Sequence, residues 1–251
     1  MDKEELMLKK RLIDLSNQAF QRDIAVFSDF LNLNEQNILH TLPKDRLSAR
    51  FEMFGGYGLA ERQMAVFLPE NICYEYTYPF QALFVHPLSV KFAEKLSHRD
   101  YLGSIMNLGL ERSKFGDIIV NEDSAIVFVC DEIAGYVADS LTCVRHTSVA
   151  CEKKEIADIS YVPDFSEIKG TVPSVRLDTV LSVAFPLSRS KLSAYIETGK
   201  VFVNGKQITS NGYRLEPENL ISVRGMGRIC YQGILSETKK GRYYVSVRKY
   251  I

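Results

Sequence analysis

The run Ser188-Arg189-Ser190-Lys191 puts two cations where helix stability alone would not want them. Ser188 is a good helix N-cap, because its hydroxyl can accept an N–H that has no partner inside the helix. Arg189 and Lys191 then fall in the first turn, beside amides that already carry partial positive charge. Cations there cost an isolated helix a few tenths of a kcal/mol. A bound phosphate reverses the sign, since exposed N–H groups and flanking basic side chains suit an anion. More basic residues follow at expected turns and strand ends: Lys200, Lys206, Arg224, Arg228, Lys239, Lys240 and Arg242. Several stand beside glycines, at 199, 205, 225, 227 and 241, where backbone can approach a ligand closely. Gly225-Met226-Gly227 has neither a Walker lysine nor the strand–helix context of a nucleotide loop. A basic face without a pocket motif points to a long polyanion, and so to nucleic acid.

The other candidate chemistries weigh less. His98-Arg99-Asp100 has the letters of a kinase catalytic loop, but position 105 is Ile where the metal-binding Asn belongs, and the companion motifs are missing. His98, Arg99 and Arg112 are instead candidates for a secondary RNA-facing edge. Cys143, His146 and Cys151 have no convergent fourth ligand nearby in sequence, so no metal is expected. No serine nucleophile context occurs either, and no cofactor is expected. Phe51, Phe54 and Tyr57 could stack on bases or pack a domain boundary, and packing is the expected role. Asp100, Asp117 and His98 are the candidates that an RNA-modifying enzyme would have to use. Arg176-Leu177-Asp178 opens like a pseudouridine synthase motif, but Thr-Val-Leu-Ser-Val-Ala-Phe follows, so Asp178 is read as a helix residue pairing with a neighbouring Arg.

These residues need elements to hold them. The chain has 251 residues, 46% hydrophobic and 25% charged, with apolar runs far short of a membrane span. The N-terminus lacks an apolar signal core, and the five cysteines have no framework spacing. A cytoplasmic protein with reduced thiols is expected. Net charge is zero, yet residues 174–251 carry 13 Lys/Arg against 5 Asp/Glu, and residues 1–173 carry 18 against 26. The basic end is the one expected to meet a polyanion.

The expected fold is α+β in three small parts. Residues 1–73 read as mainly helical: Leu8, Leu12, Leu15 and Ala19 recur at helical spacing, and Ile24, Phe27 and Leu31 continue the stripe. Residues 74–160 read as a split α/β sheet close to βαββαβ, with a helix over 98–112 and a last strand over 142–152. Residues 161–173, with two prolines and a glycine, read as a linker. From Pro173-Ser174 a helix runs to Pro186, a second follows Ser188 and stops at Gly199, and Asn204-Gly205 turns a hairpin.

Arg176-Leu177-Asp178, Ser188-Arg-Ser-Lys191, the run from Ile196 to Lys206 and Ile221-Ser-Val-Arg-Gly225 together resemble the S4 RNA-binding domain. Glu218-Asn219 stands where that family often has a Gly-Asp turn; Asn also adopts left-handed turns, so the departure bears only on the local loop shape. With Phe54-Gly-Gly-Tyr57, Ala60-Glu-Arg62, the segment 98–112 and Phe115-Gly-Asp-Ile118, the whole chain resembles the YlmH family of Gram-positive bacteria. The resemblance implies a helical N-terminal part, an RRM-like middle domain and a C-terminal S4 domain. It also implies a non-enzymatic role on the large ribosomal subunit, on rRNA and tRNA, in quality control of stalled peptidyl-tRNA. Arg176, Asp178, Ser188, Ser190 and Asn204 join the basic residues above as expected RNA contacts, in a protein expected to be monomeric.

Overall fold

The computed structural model describes residues 3–70, 72, 74–156, 159, 161 and 164–250. They fall into two compact units, Met1–Tyr161 and Val162–Ile251.

The first unit opens with α1 (Lys3–Arg22), which buries Leu12, Ser16 and Ala19 along one stripe. The stripe does not continue through Ile24, Phe27 and Leu31 as expected. Asp23 takes a left-handed φ of 54° and stops the helix, and β1 (Val26–Leu31) follows. Phe27 and Phe30 are strand formers once the helix is broken, which periodicity alone does not register. After α2 (Leu33–Thr41), capped by Asn32 and Glu35, come β2 (Arg50–Phe54) and β3 (Gln63–Leu68). The N-terminal part thus adds to its two helices a three-stranded antiparallel sheet, ordered β1-β3-β2.

The middle part runs β4 (Phe80–Pro87), α3 (His98–Met106), β5 (Phe115–Val120), β6 (Ala125–Cys130), α4 (Asp131–Ser140), β7 (Cys143–Val144) and β8 (Thr147–Lys154). Its sheet is ordered β5-β6-β4-β8-β7. Two expectations need correction. The helix from 98 ends at Met106, and Gly109 at φ 76° turns the chain away. The last strand is a hairpin, since Arg145 at φ 54° makes a two-residue turn between β7 and β8.

The second unit contains β9 (Phe165–Val172), α5 (Leu177–Ala184), α6 (Arg189–Glu197), β10 (Val201–Val203), β11 (Lys206–Gln207), β12 (Leu220–Val223), β13 (Gly227–Glu237) and β14 (Tyr243–Tyr250). The antiparallel sheet is ordered β11-β10-β12-β13-β14-β9. Most of the expected linker is therefore strand: Phe165–Val172 pairs residue by residue with Tyr243–Tyr250. Ile168, Gly170 and Val172 alternate toward the helices, a weak signal in a strand that also carries Glu, Lys and Gly. Val162 and Pro163 of that stretch lie outside the described residues. Helix α5 starts at Leu177, later than Pro173, because Arg176 is extended and bridges to Arg214. The core lies between the two helices and one sheet face, with Leu177, Val180, Leu181, Leu192 and Ile196 packed on Val201, Ile221, Ile229, Tyr231, Val245 and Val247.

Candidate nucleic-acid interface

Ser188 caps α6 as expected: its Oγ accepts the Lys191 N–H at 3.4 Å and lies 3.1 Å from Ser190 Oγ. Arg189 and Lys191 are exposed in the first turn of α6. Lys191 and Tyr195 are one helical turn apart on the same face. Gly199, at φ 70°, turns the chain so that Lys200 Nζ sits 5.0 Å above the Tyr195 ring. The Arg224 N–H donates to Lys200 O at 2.9 Å, placing those two residues side by side at one end of the sheet. A line of Lys191, Tyr195, Lys200 and Arg224 thus runs from α6 onto that end, about 6 Å of it along the helix from Lys191 to Tyr195.

The other predicted contacts are distributed differently. Arg176 is held by Asp178 through two bonds of 3.1 Å, so both belong to the base of α5. Asn204 and Gly205 make the expected turn, at φ 48° and 78°. The Asn204 side-chain oxygen accepts the Leu220 N–H at 2.8 Å, so it joins β10 to β12. Lys206 lies beyond that turn, about 10 Å along the strand from Lys200. Lys239, Lys240 and Arg242 occupy the far hairpin between β13 and β14, about 30 Å along β13 from Arg228, so they belong to a separate basic patch. Arg228 stands opposite Ser222, on the face turned away from the helices. The left-handed residue of the 218–219 turn is Glu218, at φ 65°, not Asn219. Asn219 spends its side-chain oxygen on the Glu216 N–H at 3.0 Å, while Glu218 N–H reaches Tyr231 O at 2.7 Å.

Of the candidates in the first unit, Arg112, Asp117 and Asp100 are structural. Arg112 donates to Phe115 O at 2.6 Å and Gly116 O at 3.0 Å, and burial, with the nearby Arg62 charge, pushes its pKa down to about 10. It is a brace for backbone carbonyls, not an RNA-facing cation. Asp117 accepts from Tyr57 Oη at 2.8 Å and from the Glu61 and Arg62 N–H groups at 2.6 and 3.0 Å. Asp100 caps α3, accepting the Ser97 hydroxyl at 2.6 Å and its N–H at 2.8 Å. His98 and Arg99 are exposed on the first turn of the same helix. Among the described residues, no hydrogen bond joins either carboxylate to His98 as an acid–base couple would require.

The middle sheet has the strand order of an RRM-like domain, a fold whose open sheet face stacks bases on aromatic side chains. Here much of that face is filled from within. Tyr57 stacks on Phe128 with centroids 5.7 Å apart, and Phe30 packs against Phe80 at 4.9 Å. The approach depends on two glycines: a Cβ on Gly56 would lie 2.2 Å from the Phe128 ring, and one on Gly116 2.8 Å from Phe30. Phe54 and Tyr57 are therefore packing residues, and the motifs 54–57, 60–62 and 115–118 form one latch. Those motifs are visible in the sequence, but the Asp117 hub is not, because its three donors lie 55 to 60 residues away.

Two helices on one face of a small antiparallel sheet, with cations at the tip of the second helix, define an S4-type RNA-binding module. The S4 domain family matches residues 175–221. A second family, described as "Putative RNA-binding domain in YlmH", matches residues 74–158. The chain belongs to the YlmH family. It is 33% identical over 227 residues, 88% of this chain and 86% of the other, to a protein of Bacillus subtilis named ribosome-associated protein quality control protein P2. A structure of the cell division protein YlmH from Streptococcus pneumoniae shares the fold, with a TM-score of 0.51 at 21% identity over 63% of this chain and 95% of that one. An uncharacterized RNA pseudouridine synthase of Mycoplasma pneumoniae is 48% identical, but only over 48 residues, 19% of this chain and 16% of that one. Among the described residues, no helix is long and apolar enough to cross a membrane.

Proposed function

We propose that this protein is a non-enzymatic, monomeric RNA-binding factor that grips structured RNA through the tip of α6 and the adjoining end of its sheet. The RNA is ribosomal RNA with an adjacent tRNA on the large subunit, and the task is quality control of stalled peptidyl-tRNA. The observation that carries the reading is the line Lys191–Tyr195–Lys200–Arg224, continuous across two elements in the basic part of an otherwise acidic chain. Exposed amides at the α6 N-terminus and flanking cations suit phosphates. The name of the Bacillus subtilis relative supports the ribosomal setting. An RNA-modifying enzyme would need Asp100 or Asp117 for chemistry, and both are committed to holding backbone.

The test is binding of a ribosomal RNA fragment by the full chain, across a salt series. Log affinity should fall by about 0.7–0.9 per log unit of salt for each phosphate contacted. Arg189→Glu combined with Lys191→Glu should abolish binding while far-UV circular dichroism stays unchanged. A doubly substituted protein that bound as tightly as the parent would refute the placement of the interface.

A further inference from the structure

The sheet of the second unit has a second face, turned away from α5 and α6. Phe202 of β10, Ser222 of β12, Arg228 and Cys230 of β13, Arg248 and Tyr250 of β14, and Phe165, Glu167 and Lys169 of β9 alternate onto it. Phe165 is 43% exposed although it is a large apolar side chain in a regular strand. It meets Tyr250 edge-on at 6.4 Å, and the Arg248 guanidinium lies 4.9 Å over its ring. Across the sheet, the Arg224 guanidinium covers the Phe202 ring at 5.2 Å. Arg228 lies between the two pairs, one residue beyond the Ile229–Lys249 pairing and therefore alongside Tyr250.

Two carboxylates share this face. Glu167 accepts from Ser246 Oγ at 2.8 Å and pairs with Lys169 at 3.0 Å. Glu218 takes Gln232 Nε2 at 3.4 Å and the Cys230 thiol at 3.6 Å. Against them stand Arg224, Arg228, Arg248 and Lys169, so the face is net positive. It also continues the α6 surface, because Arg224 is bonded through its backbone to Lys200 and reaches around the sheet end to Phe202.

We propose that this face is a second RNA contact that takes an unpaired stretch of the strand, with bases stacked on Phe165 and Tyr250 and phosphates met by Arg248 and Arg228. A duplex keeps its bases stacked inside and offers none to an aromatic ring, whereas an unpaired strand offers one at each step. Guanidinium planes lying on rings extend the stacking surface, and their charge suits the backbone. This inference rests on the reading that the α6 side binds structured RNA, and adds that the RNA carries a single-stranded segment leading around the sheet end.

Three probes separate the two ideas: a blunt RNA stem-loop, the same stem-loop with a single-stranded oligouridine tail of about six nucleotides, and the tail alone. Binding to the full chain is followed by fluorescence anisotropy. The tail should raise affinity at least about fivefold, the lower end of what one stacked base contributes. Phe165→Ala and Arg248→Gln should each remove most of that gain while leaving blunt stem-loop affinity unchanged. Phe165→Leu, which keeps an apolar side chain in the strand, serves if the alanine variant melts early, and should also lose the gain. A tail that adds nothing in the parent, as expected if the face docks a protein instead, overturns the proposal. So does a tail gain that survives both substitutions. Failure of the α6 reading gives a different pattern: Arg189→Glu/Lys191→Glu leaves blunt stem-loop binding intact, and the tail alone still reports on Phe165.

Discussion

Removing the Asp117 carboxylate should loosen the first unit by an amount that its geometry lets one estimate. One half-buried side chain accepts from Tyr57 Oη and from the Glu61 and Arg62 N–H groups, all within 3.0 Å. Hydrogen bonds to a charged acceptor contribute about 1.5–3 kcal/mol each, and donors left without an acceptor carry a desolvation cost. Partial solvent access favours the low end, so Asp117→Ala should cost about 4 kcal/mol. Asp117→Asn keeps an acceptor oxygen and should cost about half as much. The chain has no tryptophan, so urea unfolding is best followed by far-UV circular dichroism. With a slope of about 2 kcal/mol per molar urea, the alanine variant should lower the midpoint of the first unit by about 2 M. A shift under about 0.5 M would mean that the loop from Gly55 to Arg62 is held by something other than Asp117.

Two further substitutions test local arguments. The hydroxyl and then the N–H of Ser97 hold the Asp100 carboxyl below its ordinary pKa. A depressed carboxylate contributes stability that is present above its unfolded pKa and lost as pH falls through the folded value. Urea midpoints from about pH 6 to pH 2 should therefore drop less steeply in Asp100→Asn than in the parent, and equal slopes would refute the assignment. Glu218 holds φ 65°, at a cost of about 1–2 kcal/mol for a non-glycine residue, so Glu218→Gly should stabilise the second unit even after glycine's extra freedom when unfolded, about 0.4–1 kcal/mol, is subtracted. Calorimetry should show its Tm rising by about 3 °C; a lower Tm would mean that the Glu218 carboxylate matters more than its backbone.

Local signals were legible in the sequence because their physics spans a few residues. The Ser188 cap, the stop at Gly199 and the turn at Asn204-Gly205 each need only their immediate neighbours. The two S4 helices were legible for the same reason, with one start displaced by the extended Arg176. What escaped depends on distant partners. Strand β9 reads as linker because its pairing with β14 is invisible in a segment that carries Glu, Lys and Gly. Arg112 looked like a surface cation, and nothing near it in sequence says that its guanidinium turns inward onto Phe115 and Gly116. For the interface, residue types were readable but distribution was not. Lys239, Lys240 and Arg242 look continuous with Arg228 on paper, and β13 carries them to the other end of the sheet.

The pairing of β9 with β14 also bears on how the chain is made. An antiparallel partner more than seventy residues downstream leaves β9 without a neighbour until β14 has been synthesised. During vectorial synthesis the first unit has all its strands in hand much earlier, so it can consolidate while β9 is still a lone ribbon. Closing so long a loop is entropically slow, and an unmatched ribbon bearing Phe165 is open to wrong pairings in the interval. Lys169 and Glu167, charged residues on that waiting strand, are the sort of side chains that discourage such mispairing.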